Sequence, residues 1–388
     1  MNCPYPSDIT TQVSQWLAAG RPVALATIVH IIGSSSRPLG TCMLCTNDDE
    51  FVGAVSGGCV ETDVSRVADE VLNDGVARLV HYGSVRDSLL DVGLNCDGQI
   101  DVLVEPVDRR WLDNATRPFL GVVTTTCTPR ASSPGATAGG SASLPETSGA
   151  VVPVTVKRSH TPMTPEDTGA PRSVRESTHI MLVEPVLPPP LLLMFGAGPV
   201  ADNLARLAAV MDFTTVISDP RESRFGPQIV ADHLCVSWPE ETFRTLTALG
   251  LHFIPSRTYV VSLEHEPHFE DALWDALLDV MSPKTPPSTI FPTAGTTAGN
   301  TPSRRPVYIG AIGKAQRTIE RNDRARESGR DLTPLQPIRT PIGLDIGGKS
   351  APEIALSILA QIVATVHRRP GGNIGGLQPA SIKVPTPT

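Results

Sequence analysis

The strongest constraint on this chain is a junction near its middle. An uninterrupted apolar run, Leu191 to Phe195, ends in Gly196-Ala197-Gly198 and passes directly into an amphipathic stretch from Val200 to Met211. A short apolar run without polar alternation reads as a strand covered on both faces. Between such a strand and a helix, Gly-x-Gly-x-x-Ala, completed by Ala201, stands in the context that a dinucleotide fingerprint requires. Gly196 permits the tight turn, and Gly198 lets the backbone approach a pyrophosphate. The helix start adds unpaired N–H groups. Asp219 closes the next strand 23 residues after Gly196, where an acid would meet a ribose hydroxyl, and Arg221 and Arg224 follow.

Downstream, strands at 214–218, 233–237, 259–263 and 307–312 alternate with helices at 200–211, 240–249, 269–281, 314–328 and 352–368. That order implies an α/β architecture with a doubly wound parallel sheet. His265-Glu266-Pro267-His268 follows a strand end, where the ligand crevice of such a sheet opens; His265 is the candidate there and His268 reads as solvated. Gly343, Gly347, Gly348 and Lys349 lead into the last helix without the spacing of a Walker loop, and Ser350 with Glu353 reads as a helix cap.

The N-terminal block has an α+β pattern. A helix over 8–19 precedes a strand over 22–32, the loop GSSSRPLG (33–40), short strands at 42–45 and 50–55, and a helix opened by SGGCVE (56–61) and stopped by Asp74-Gly75. Strands follow at 78–82 and 99–104. From about Cys127 to Ser177, Ser, Thr, Pro, Gly and Ala dominate. Such a segment buries too little apolar surface to offset its ordering entropy. The expected organisation is a first domain over 1–127 completed by a strand at 179–187, a disordered insert over 128–178, a second domain over 188–369 with a low-complexity insert at 282–306, and a disordered tail over 370–388.

The 37 Pro and 32 Gly suit loops and linkers, because no triplet repeat accompanies them. A net charge of −8 and only 4 % aromatic residues exclude a basic, base-stacking platform, so no nucleic-acid partner is expected. No apolar stretch approaches the roughly 20 residues of a membrane span. Seven scattered cysteines argue against a secreted disulfide framework and for the cytoplasm.

Two cysteines stand out. Cys59 lies in Ser56-Gly57-Gly58-Cys59 at a helix start, where the dipole favours a thiolate. Cys96 lies in GLNCDG, between Gly93 and Gly98. Flanking glycines suit a backbone that closely approaches a ligand. Cys42-x-x-Cys45 has half the spacing of a zinc site but fits a strand, with no second pair to complete the site.

Together, GSSSRPLG, FVGAVSGGCVE, GLNCDGQIDVLVEP, LLLMFGAGPVA, SDPRESRF, VYIGAIGK and PIGLDIGGKSAPEIALSI resemble, in order, the motifs of the XdhC/CoxI family, accessory proteins of xanthine dehydrogenase and carbon monoxide dehydrogenase. The resemblance implies an N-terminal α+β XdhC/CoxI domain and a C-terminal Rossmann-like domain. It implies binding of the molybdenum cofactor (molybdopterin) and support of its sulfuration and insertion into a xanthine dehydrogenase-type molybdenum hydroxylase, with a cysteine desulfurase as a further partner. The role implied is that of a chaperone rather than a turnover enzyme. The family's Gly-Gly-Cys falls on Gly57, Gly58 and Cys59, and its Gly-Leu-x-Cys on Gly93, Leu94 and Cys96. The two cysteines are the candidate metal contacts. Gly196, Gly198, Asp219, Arg221 and His265 are the candidate contacts in the second domain. The chain departs from the family pattern at Asp97, Pro199, Glu264 and Lys314-Ala315-Gln316. The competing reading is an NAD(P)-dependent oxidoreductase, with NAD(P) or another nucleotide as ligand. A homodimer is compatible with either reading.

Overall fold

A computed structural model describes residues 7–48, 50–83, 98–116, 121–130, 143–162, 171–227, 229–282 and 304–372. The chain divides into two compact units, 1–188 and 189–388.

The first unit is built on a nine-stranded sheet in the order β3-β2-β1-β5-β4-β7-β6-β9-β8. Its elements are α1 (Ser7–Ala18), β1 (Val23–Ile32), β2 (Cys42–Cys45), β3 (Phe51–Gly53), α2 (Glu61–Asp74), β4 (Arg78–Tyr82), β5 (Gln99–Val107), α3 (Arg109–Ala115), β6 (Gly121–Pro129), β7 (Val151–Pro162), β8 (Arg172–Arg175) and β9 (Ile180–Val186). All its strand pairs are antiparallel. The pleat divides β1 between two cores. Ala24, Ala26 and Ile28 pack with Val64, Val67 and Val71 of α2, whereas Val23 and Leu25 pack with Ile9, Val13 and Trp16 of α1 and Leu112 of α3. The sheet also curls. Val29, Leu79 and Leu103 meet Cys127, Val154, Ile180 and Leu182, and His30 Nδ1 lies 2.9 Å from Ser173 Oγ of β8.

The expected disorder over 128–178 needs correction. β7 lies between β4 and β6 inside the sheet, and β8 pairs with β9. Val152, Val154 and Val156 alternate with exposed residues, a strand pattern hidden by the composition of the whole segment. Residues 131–142, 163–170, 283–303 and 373–388, also part of the segments expected to be disordered, lie outside the described residues.

The second unit is a five-stranded parallel sheet in the order β12-β11-β10-β13-β14. It comprises β10 (Leu191–Phe195), α4 (Pro199–Ala209), β11 (Thr214–Ser218), β12 (His233–Cys235), α5 (Pro239–Thr245), β13 (Thr258–Ser262), α6 (Pro267–Met281), β14 (Tyr308–Ala311), α7 (Gln316–Glu327) and α8 (Ala351–Val366). This is the doubly wound order, with the switch point between β10 and β13. α4 and α8 cover one face through Leu204, Ala208, Ile358 and Ile362. α5, α6 and α7 cover the other through Phe243, Trp274, Leu277 and Ala325. Glu353 receives the Ser350 N–H at 2.9 Å, the reciprocal arm of the predicted cap.

Candidate functional site

In the first unit, two loops meet. One is the 33–40 loop between β1 and β2, and the other is 54–60 between β3 and α2. Ser56 is the hub of the second. Its Oγ accepts from Gly58 N–H at 3.2 Å and Cys59 N–H at 2.9 Å, and donates to Glu61 Oε2 at 2.6 Å. The Ser56 N–H donates to Glu61 Oε1 at 2.6 Å, and Val60 N–H to Oε2 at 3.2 Å. Burial pushes the Glu61 carboxyl up, but these hydrogen bonds outweigh it and hold the group below its usual range. By folding back on Ser56, Glu61 starts α2 at residue 61, so Cys59 precedes the helix rather than sitting in its first turn.

The loop leaves open space where it lacks side chains. A Cβ added to Gly57 or Gly58 would meet nothing within 4 Å, and Gly58 has φ +102°. Cys59 beside them is half-buried. From the other loop, Arg37 Nε donates to Ser56 O at 3.3 Å. Gly98, which leads from the GLNCDG motif into β5, is held against the same loop: a Cβ there would sit 1.7 Å from Ser34 O. Gly93, Leu94 and Cys96 themselves lie outside the described residues.

The other described thiols differ. Cys42 and Cys45 are buried in separate cores, one with α1 and one with α2, so the two do not form half of a chelate. Burial pushes Cys42, Cys45 and Cys127 up to about 12. It also raises Cys235. Among the described residues no group of three His, Cys, Asp or Glu could hold a metal ion.

In the second unit, Gly196 has φ +111°, and a Cβ on it would lie 2.9 Å from Glu264 Cγ. Here glycine serves a close approach between strand ends as much as a ligand. Gly198, with φ +150°, faces open space. Asp219 is already engaged. It accepts from Ala197 N–H at 3.1 Å and from Arg221 N, Nε and Nη2 at 2.9 Å each. Burial raises its carboxyl, and the bonds from Arg221 and Ala197 outweigh that and lower it. Arg221 also binds Glu264 at 2.6 Å and Glu266 at 2.9 Å, and its guanidinium lies 4.4 Å from the Phe269 ring centre. The space enclosed by Phe195, Gly196, Ser218, Asp219, Ser262 and Glu264 is about 10 Å³. That holds one water at most. Three carboxylates around one guanidinium leave this cluster with a net negative charge. His265 is exposed, with Nδ1 3.2 Å from Arg317 Nη1.

Sequence reading thus singled out Asp219, Arg221 and Cys59 but missed Arg37, Glu61 and Glu264 as their partners. Glu264 was legible as an acid just beyond a strand, like Asp219. Arg37 was legible as a cation in a loop of Gly, Ser and Pro.

Among the described residues no helix is long and apolar enough to cross a membrane. The crystal structure of a xanthine dehydrogenase from Bacillus halodurans has the same fold, with a TM-score of 0.62 over 93 % of this chain and 96 % of that one at 24 % identity. A probable xanthine dehydrogenase subunit of Bacillus subtilis is 27 % identical over 369 residues, 92 % of this chain and 97 % of that protein. The molybdenum cofactor insertion chaperone PaoD of Escherichia coli is 33 % identical over 107 residues, 28 % of this chain and 31 % of that one. Residues 16–83 match the XdhC and CoxI family, and residues 192–290 and 293–362 match the XdhC Rossmann domain. With both blocks matched in order and together spanning more than half of its length, the chain belongs to the XdhC/CoxI family.

Proposed function

We propose that this protein binds the molybdenum cofactor and supports its sulfuration and insertion into a xanthine dehydrogenase-type hydroxylase. The observation that carries this reading is the open Gly57-Gly58-Cys59 loop buttressed by Ser56 and Glu61. The names of the Escherichia coli and Bacillus subtilis relatives support it. When bound, the cofactor supplies a dithiolene-chelated molybdenum centre, whose chemistry belongs to the target hydroxylase.

The residues present fit such a group. Cys59 is a soft donor of the kind such a metal centre favours. Gly57 and Gly58 leave the backbone accessible to a flat ligand. The Ser56–Glu61 bonds fix the loop before the ligand arrives, which lowers the ordering cost of binding. A cysteine desulfurase is the partner whose persulfide could supply the sulfur. The oxidoreductase alternative asks Asp219 to meet a ribose, and Asp219 is tied to Ala197 and Arg221 instead.

The test is loading in a host that makes the cofactor, with pterin and molybdenum quantified per chain. Gly57→Val fills the open space without demanding a left-handed backbone, and is expected to cut pterin about tenfold or more. Cys59→Ser is expected to lower molybdenum more than pterin. If both variants stay folded by circular dichroism and load like the parent, the loop is not the site. Stoichiometric NAD(P) in the purified protein would favour the oxidoreductase instead.

A further inference from the structure

We infer that Arg37 is the oxyanion contact of the Gly57-Gly58-Cys59 loop, a role that rests on the cofactor reading above and adds its anionic end. A phosphate-cradling loop aims successive backbone N–H groups at its ligand. This loop does the reverse. The N–H groups of Gly58, Cys59 and Val60 turn inward onto Ser56 Oγ and Glu61. The charge they enclose is the Glu61 carboxylate, so the loop itself offers an anion no compensating positive charge.

Arg37 offers one. Its Nε is pinned to Ser56 O, which leaves both Nη groups at the outer end of the fork without an acceptor among the described residues. Many other arginines are held by carboxylates, as Arg21, Arg66, Arg78, Arg158, Arg221 and Arg321 are. Arg37 is exposed, and its loop is already ordered. Its own N–H reaches Ser35 Oγ at 3.3 Å, Thr41 Oγ1 reaches Pro38 O at 2.7 Å, and Gly40 N–H reaches Ile28 O at 2.9 Å. A guanidinium fixed at Nε with a free Nη pair grips two oxygens of one group, as a phosphate monoester or an oxo-metal centre presents them. Neither a lysine nor a backbone amide supplies that fork.

The experiment compares the parent chain with Arg37→Met and Arg37→Lys. Cys59 is alkylated in parallel with anionic iodoacetate and neutral iodoacetamide, and the two rates are read at that residue by mass spectrometry. The parent is expected to favour iodoacetate, the ratio falling about fivefold in Arg37→Met, staying near the parent value in Arg37→Lys, and collapsing in 0.5 M salt, where charges are screened within about 4 Å. Inorganic phosphate and molybdate, added separately, should each slow iodoacetate in the parent and not in Arg37→Met. The more effective of the two identifies which end of the cofactor lies at Arg37. Pterin loading should fall at least tenfold in Arg37→Met and recover only in part in Arg37→Lys, which lacks the fork. An unchanged iodoacetate to iodoacetamide ratio in folded Arg37→Met overturns the inference, and so does full pterin loading of that variant. A parent chain that loads no pterin overturns the cofactor reading alone, and the phosphate and molybdate arms then decide Arg37 by themselves.

Discussion

Glu184 of β9 is a buried carboxyl facing Arg158 of β7, Glu105 of β5 and the Cys42 thiol of β2. It lies so close to the Arg37-bearing loop that a Cβ on Gly40 would sit 2.8 Å from its Oε1. Burial, against the pull of Arg158 and with the push of Glu105, raises it to about 7. A carboxyl raised on folding stabilises the native state below its unfolded value, near 4.3, and loses that contribution as the pH climbs to about 7. A shift of this size corresponds to about 3–4 kcal/mol. Urea unfolding of the parent should therefore weaken between pH 5 and pH 8. In Glu184→Gln that weakening should shrink by about 2–3 kcal/mol. Parallel stability curves for the two proteins would show that Glu184 does not titrate in this window. Such a residue is invisible in the sequence, where EPV at the end of β9 reads as an ordinary surface glutamate. The site was legible only in part. Cys59 and its glycines were legible as a motif, because glycine beside cysteine has no packing rationale. The Arg37–Ser56 contact was not, because it joins residues 19 apart, in two loops that the antiparallel β1–β2–β3 pairing brings to one end of the sheet.

Among elements, β7 shows how a local pattern can outweigh composition. It pairs over nine residues with β6 and over three with β4, and Val154 N–H reaches Ala77 O at 2.8 Å. Its amides over 151–162 are therefore expected to exchange with deuterium at least about 100-fold slower than an unstructured peptide, an opening free energy of about 3 kcal/mol. Immediate full exchange there would restore the disordered reading of the segment. β8, at the sheet edge, should exchange faster. The parallel sheet was easier to read: the β10 run, Gly-x-Gly and the strand–helix alternation each encode a local rule. β6 escaped because Gly121 to Pro129 carries four threonines, which read as polar although Thr125 is 2 % exposed between strands. Thr is a good strand former when one face is covered.

For the whole molecule, each unit closes its own cores, the first around β1 and the second around β10. A lesion confined to one should leave the other's protection intact. Arg321 provides that lesion. It and Glu270 are both 1 % exposed, 2.7 Å apart, and Arg321 also reaches Thr340 Oγ1 at 3.2 Å. Arg321→Met leaves Glu270 buried with only Arg324, at 3.0 Å, to balance it. Removing one partner of a buried pair costs about 3–5 kcal/mol, which in a unit of this size lowers the midpoint by roughly 10 °C. The loss should appear in the fluorescence transition of Trp274, which packs against Arg321 at 5.4 Å. Cys42, Cys45 and Cys127 report on the first unit, because all three are buried there. At the temperature where the second unit of Arg321→Met melts, pulsed alkylation should find these three thiols as protected as in the parent. Their simultaneous exposure would mean that the two units unfold as one, and that the loop carrying Cys59 draws its stability from the Rossmann unit as well as from its own sheet.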